Sequence, residues 1–473
     1  MKSIAVTEKN DRLILDNPWW TGGVEAVPFR ELQPRNYLPS LRELIVQSEP
    51  RRAVVLMGPR RVGKTVLLHH IIERLIKTDG VPAQHILYAS LDTPLYTGMD
   101  LEIFTHLFPE EPTGQSGQKR YCFFDEIQYL RDWEVQLKSL VDTYPNFKFI
   151  ASGSATAALR MKSVESGAGR FTDFLLPPLT FAEFLTFREV EEELIEQTAP
   201  GSYASTDIGR LNEQFVDYIN YGGFPEVVFS EEIRQNPARF IKSDILDKVL
   251  LRDLPSLYGI RDIQELNRLF TTLAYNTGEE ISMRGLTQSS GVNKETIRRY
   301  LEYLEAAFLI KRVRRIDKTG RPFQRDRQFK VYLTNPSLWA ALFGPLTSDH
   351  EDMGHLAETA LFAQWFHEQT MAHSINYARW DGGDVDFVGQ ISAAPSIRWA
   401  TEITWSDRPY TRPDSVTGII EFFRTNHLER TPMITTLTKT GQRTVRGVLV
   451  EYLPTSLYCY TVGKNSTRGD IIS

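Results

Sequence analysis

"AVVLMGPRRVGKTVLLHHIIERLIK", residues 53–77, has two textures joined by a turn. Ala53 to Met57 is an unbroken apolar run, as suits a strand buried on both faces of a parallel sheet. Beyond Thr65, Leu68, Ile71, Ile72 and Leu75 recur at helical spacing, and Gly80 stops the pattern. The joint reads G-x-x-x-x-G-K-T: Gly58, Pro59, Arg60, Arg61, Val62, Gly63, Lys64 and Thr65. Backbone N–H groups of such a loop converge on phosphate oxygens, and the helix N-terminus adds partial positive charge. Glycine admits a close approach that a Cβ would block. These eight residues are therefore expected to hold ATP, with Lys64 on the β- and γ-phosphates and the Thr65 hydroxyl on Mg²⁺.

A phosphate loop with magnesium needs an acid, and "RYCFFDEIQYL", 120–130, supplies one at the end of a second apolar run. Asp125 is expected in the Mg²⁺ shell and Glu126 as the base that polarises the attacking water. A third strand, "FKFIASGSA", 147–155, ends in Ser152 to Ser154, where Ser154 would sense a γ-phosphate; an ordinary Ser/Gly turn is the plain alternative. Arg170 stands in the glycine-rich "SGAGRF" before another apolar run. It would contact the γ-phosphate of its own nucleotide or of a neighbouring copy's, the latter requiring a homo-oligomer, unless it is a surface arginine.

At 473 residues the chain is long enough for several domains with cores of their own. Sixty acidic against 54 basic residues give a net charge of −6, which excludes a globally basic nucleic-acid binder but not a local basic patch. Two cysteines, Cys122 and Cys459, make neither a disulfide framework nor a zinc quartet. No run approaches the length of a membrane span, and the charged start "MKSIAVTEKNDRLI" lacks a signal peptide's apolar stretch, so a cytoplasmic location is expected.

Strand and helix patterns alternate across residues 45–178, an α/β arrangement of the doubly wound kind, with helices expected at 100–107 and 154–160 among others. Residues 1–44, with Trp19 and Trp20, read as a segment packed on this core; stacking of these rings on an adenine is the less favoured reading. Residues 179–265 read as a helical lid, broken at "APGSYAST", 199–206. In 266–345, helices around Gly291 precede a hairpin, the outline of a winged helix-turn-helix. Residues 294–330 carry 12 Lys/Arg against five Asp/Glu, a net of about +7, which fits phosphate contacts on duplex DNA; a solvated or protein-docking face is the alternative. Residues 346–473 read as a further α/β unit. There Glu358 on a helix, Asp384 and Asp386 on a strand pair, and Glu402 on a third strand are placed to converge on a divalent metal.

Taken in order, GPRRVGKT, FFDEIQ, SGS, GR before PLTFAEFL, GGFPE, HLAETALF, GDVDFV and TEITW resemble one family over roughly residues 17 to 460. It is that of the archaeal and bacterial AAA+ superfamily ATPases with an uncharacterised C-terminal domain. The resemblance implies an AAA+ core, a lid, a winged helix and a restriction-endonuclease-like fold. In that last fold Glu358, Asp386 and Glu402 match the metal-binding acids, whereas Thr404 stands where a lysine is expected, which argues against cleavage. The expected activity is Mg²⁺-dependent ATP hydrolysis that moves the lid and winged helix, changing their grip on DNA. An ATP-gated protein-interaction switch and an ATP-regulated nuclease are the alternatives.

Overall fold

The computed structural model describes residues 6–47, 49–109, 118–154, 169–323, 328–367, 374–390, 397–428 and 430–468. Two compact units emerge, Met1–Leu176 and Pro177–Ser473.

In the first unit, helix α1 (Val6–Asp16) precedes five parallel strands: β1 (Ala53–Met57), β2 (Ile86–Ser90), β3 (Arg120–Asp125), β4 (Phe147–Gly153) and β5 (Phe171–Leu175). Their spatial order is β2-β3-β4-β1-β5. Every residue of β1 is buried, as its continuous apolar run requires. Helix α2 (Lys64–Lys77) sets the His69 ring 4.7 Å from the Tyr88 ring of β2, and helix α3 (Trp133–Thr143) packs on β4 and β1. The register sets Met57 beside Gly153 and Leu175, and Asp125 beside Ser90, so the carboxyl ends of all five strands meet along one edge. The helix expected at 100–107 shrinks to Leu101–Phe104, where the Thr105 hydroxyl closes the turn on the Glu102 carbonyl at 2.7 Å. The one expected at 154–160 lies, but for Ser154, outside the described residues.

β2 is an edge strand, and the segment after α1 covers it. The Asn17 amide donates to the Tyr88 carbonyl at 2.8 Å and accepts from the Tyr88 N–H at 2.6 Å, as a neighbouring strand would. The indoles of Trp19 and Trp20 both donate to the Ile86 carbonyl, at 3.1 and 2.7 Å. Trp19 is fully buried, so its ring belongs to the domain's packing and is closed to an adenine.

The second unit begins with α4 (Phe181–Phe187), which opens on a capping box between Thr180 and Glu183. The helical pattern expected here is interrupted by an antiparallel ribbon, β6 (Ile195–Ala199) and β7 (Ser202–Ser205). Its turn is made at Gly201, where φ is +73°. Helix α5 (Ile208–Tyr221) follows, and then α6 (Ile263–Tyr275), β8 (Glu280–Ser282), α7 (Met283–Ser290), α8 (Lys294–Ala306), β9 (Ile310–Ile316) and β10 (Gln328–Leu333). After these come α9 (Met353–Trp365), β11 (Ile375–Trp380), β12 (Gly383–Gln390), β13 (Ile397–Glu402), β14 (Met433–Thr436), β15 (Gly441–Val445), β16 (Val448–Pro454) and α10 (Thr455–Arg468).

Strands β8 to β16 form one mixed sheet in the order β15-β16-β14-β13-β12-β11-β9-β10-β8. The β9–β10 hairpin is therefore not a free flap: β11 pairs in parallel with the outer edge of β9. α9 is apolar nearly all round and buried over its whole described surface except Gly354 and His355, packing on β10 and α10. No described helix is long and apolar enough to cross a membrane.

Candidate functional site

At the carboxyl edge of the five-stranded sheet, the loop 58–63 leaves β1 and turns directly into α2. Two features force glycine here. A Cβ on Gly58 would lie 2.2 Å from the Leu176 carbonyl oxygen, and Gly63 has φ +92°. The loop is also fastened from behind. Arg35, only 5% exposed, donates to the Val62 carbonyl at 2.7 Å. Lys64 is buried, and its ammonium donates to the loop carbonyls of Gly58 and Pro59 at 3.1 and 2.8 Å. Burial pushes its pKa down, while Glu126 and Asp125 pull the other way.

Asp125, at the tip of β3, is the hub. Its Oδ2 accepts from the Thr65 hydroxyl at 2.6 Å and from the Tyr88 hydroxyl at 2.8 Å. Its Oδ1 accepts from the Ser152 hydroxyl. The Tyr88 phenol is held far above its usual pKa by burial and by the Asp125 charge, so it stays a donor. Thr65 and Asp125 thus share one point in space, as two groups of one magnesium shell must. Glu126 follows with φ +54°, a left-handed conformation costly for a side chain that bears a Cβ. That turn carries its carboxylate off the strand axis, where the Gln128 amide donates to it. The other end of Gln128 accepts from the Ser154 N–H at 3.2 Å, linking Glu126 to the end of β4.

The Ser154 hydroxyl is buried and finds no hydrogen-bond partner among the described residues. Such an orphan beside a phosphate loop fits a group that awaits an acceptor. This orphan and the glycine cradle fit a nucleotide triphosphate, and the hydroxyl–carboxylate pair fits its magnesium.

Arg170 is not brought to this site. Its carbonyl accepts from the Ala53 N–H at 2.9 Å, which places it at the amino ends of β1 and β5. Its guanidinium pairs there with Asp142 at 2.5 Å. A five-residue strand separates it from its own phosphate loop by about 16 Å, too far for an arginine side chain. The expected contact with its own nucleotide is therefore corrected.

The acids expected as a second metal site do come together in the second unit, but around a lysine. Lys330 on β10 donates to Glu358 on α9 at 2.8 Å and to Asp386 on β12 at 3.1 Å. Tyr332 also donates to Glu358, and the Ile403 N–H donates to Asp386 at 3.0 Å. Glu402 on β13 keeps one buried oxygen without a partner among the described residues, and burial beside Asp386 pushes its pKa well up. Among the described residues no three acid, histidine or cysteine groups are arranged to hold a metal. Lys330 is the cation that these acids meet among the described residues, so what is brought together is a salt-bridged cluster. Thr404 takes no part in it; its hydroxyl donates to the Thr435 carbonyl at 2.7 Å.

Much of the basic stretch is also satisfied internally. Arg298 pairs with Glu295, Arg312 with Glu305, Arg315 with Glu280, Lys318 with Glu421, and Lys330 lies in the cluster. Arg325 and Arg327 lie outside the described residues. Lys294, Arg299, Arg314 and Arg321 remain exposed.

Sequence reading missed Arg35, Tyr88, Ser152, Gln128 and Lys330. Arg35, Tyr88, Ser152 and Lys330 act across long stretches of chain, and the "SGS" and "FFDEIQ" motifs contain Ser152 and Gln128.

Residues 50–185 match a family model described as an AAA domain. With the parallel sheet and phosphate loop, this makes the first unit an AAA-type P-loop domain. Residues 212–349 match a second model, described as a domain of unknown function. An uncharacterized protein of Haemophilus influenzae is 26% identical over 357 residues, covering 74% of this chain and 82% of that one. The uncharacterized protein MJ1544 of Methanocaldococcus jannaschii is 26% identical over 274 residues, and the match spans 57% of this chain and 58% of the relative. Among solved structures, the Aeropyrum pernix ORC2 protein in its ADPNP–ADP complexes aligns with a TM-score of 0.40 at 15% identity, covering 70% of this chain and 96% of that one. The Aeropyrum pernix ORC1 protein in complex with DNA aligns with a TM-score of 0.31 at 12% identity, covering 68% and 95%.

Proposed function

We propose that the chain is a magnesium-dependent ATPase whose nucleotide state controls the second unit and its contact with duplex DNA. One observation carries the reading: Lys64, Thr65, Asp125 and Glu126, from two separate strand ends, meet at one edge, with Thr65 2.6 Å from Asp125. The loop amides and Lys64 bind the β- and γ-phosphates, and Lys64 exchanges its loop carbonyls for phosphate oxygens as it does so. The Thr65 hydroxyl and Asp125 hold magnesium, which when bound neutralises charge on the phosphates. Glu126 takes a proton from the attacking water, with Gln128 fixing its orientation, and the Ser154 hydroxyl donates to the γ-phosphate. Arg170 enters this scheme only in trans, toward a neighbouring copy's nucleotide.

The DNA part of the reading rests on the order α6-β8-α7-α8-β9-β10 and on the exposed Lys294, Arg299, Arg314 and Arg321. A protein-interaction switch is the second reading, favoured by the internal pairing of Arg298, Arg312, Arg315 and Lys318. Lys330 pairs with Glu358 and Asp386, and no cleavage is assigned to this cluster. The test is ATP turnover with and without duplex DNA. DNA stimulation, lost on charge reversal at Lys294 and Arg299, supports the first reading. ATP turnover with no DNA effect and no DNA binding at low salt supports the second. No heat from ATP at millimolar magnesium overturns both.

A further inference from the structure

The first unit has a second concave feature, at the edge of the sheet opposite to the phosphate loop. A cavity of about 230 Å³ is lined by Arg51 and Arg52, just before β1, by Lys119, just before β3, and by Lys148 and Phe147 of β4. Four cations therefore gather at the amino ends of three neighbouring strands. Among its described lining residues Glu49 is the one acid. The whole chain carries −6, so this local excess of positive charge runs against its overall balance.

Two of these cations, Lys148 and Arg52, keep donors without an acceptor among the described residues. Lys148 is only 6% exposed, and among the described residues its ammonium has a single hydrogen bond, to the Gln47 carbonyl at 3.1 Å. An ammonium carries three donors, so its remaining hydrogens find no acceptor among the described residues. Arg52 keeps a buried Nε without a partner among the described residues. Lys119 reaches the Val46 carbonyl at 3.3 Å. Burial and the nearby Lys119 charge push the Lys148 pKa down to about 8. A buried cation with unfilled donors, set beside others of like sign, is costly unless an anion joins it.

We propose that this cavity is a phosphate site, distinct from the phosphate loop, that takes a group with several anionic oxygens: a free polyphosphate chain or the backbone of a single-stranded nucleic acid. Arg52 and Lys148 bind from within, and Arg51 and Lys119 from the rim. Strand length keeps it about 16 Å from the phosphate loop, so both sites can be filled together.

The test is direct binding to the full chain of inorganic tripolyphosphate and of a fluorescent single-stranded oligonucleotide. It is run in excess ADP and magnesium, and repeated on Lys64→Ala, so that the phosphate loop takes no part. Arg52→Gln with Lys148→Gln is expected to weaken binding about tenfold or more, with ADP affinity unchanged, and binding should fall steeply between about 50 and 200 mM salt. Arg51→Glu, on the exposed rim, reports the same loss without touching the core. Tripolyphosphate bound without the oligonucleotide identifies a free polyphosphate. An oligonucleotide that competes with tripolyphosphate identifies a nucleic-acid backbone. The proposal is overturned if neither ligand binds at low salt, or if both sets of variants bind as the wild type does.

Discussion

Glu126 shows what a single residue does here. Its backbone is left-handed, a strained conformation for a residue with a Cβ, and the Gln128 amide donates to its carboxylate. Glu126→Gln should keep ATP binding by calorimetry and lower turnover by about 10²- to 10⁴-fold. Unchanged turnover would mean that another group activates water. Lys330 is the counterpart in the second unit. Lys330→Met leaves Glu358 and Asp386 buried without their cation and should cost about 3–5 kcal/mol in a denaturant titration. Glu402 acts through its proton. Its folded pKa is raised, so the folded state binds more protons than the unfolded chain once pH passes the ordinary glutamate value of about 4.3. Stability is lost as pH rises from there toward the folded pKa. Glu402→Gln removes this loss, so its stability relative to the wild type should grow by up to about 1.4 kcal/mol per pH unit across that window. A gap that stays constant from pH 5 to pH 8, roughly the range over which proteins are commonly most stable, would show that Glu402 titrates normally in the fold.

Among the elements, the edge of β2 deserves comparison with the hairpin β9–β10. Both are places where a strand would otherwise offer unpaired backbone. A side chain closes the first: Asn17 bonds both backbone groups of Tyr88. Asn17→Ala strands buried groups and should cost about 1–3 kcal/mol, read as a lower denaturation midpoint of the first unit. A strand from far along the chain closes the second, β11 against β9. The hairpin reading of residues 266–345 matches the pairing of β9 with β10. It could not foresee β11, because the partner lies about 60 residues away and pairing along a strand edge leaves no mark in local pattern.

For the whole molecule, the division into two compact units has a thermodynamic consequence. A ligand stabilises the part that binds it, by about 2.7 kcal/mol at a hundred times its dissociation constant. Scanning calorimetry with ATP analogue and magnesium should shift the transition belonging to Met1–Leu176 upward. The transition of Pro177–Ser473 should move only if nucleotide state reaches it, which makes the same scan a measure of communication between the units. The phosphate-loop pattern and the Asp125-Glu126 pair are legible in the chain because each is a contiguous run with its own local turn. Groups that act by meeting could not: Tyr88 and Ser152 on Asp125, Arg35 on Val62, and Lys330 among carboxylates drawn from a helix and two strands. For its own nucleotide Arg170 is the opposite case, since its neighbours in sequence suit a phosphate contact while strand direction sends it to the other edge of the sheet. Short-range backbone geometry is written into neighbouring residues, whereas which end of a sheet a side chain reaches, and what it finds there, depends on how distant strands are ordered and aligned.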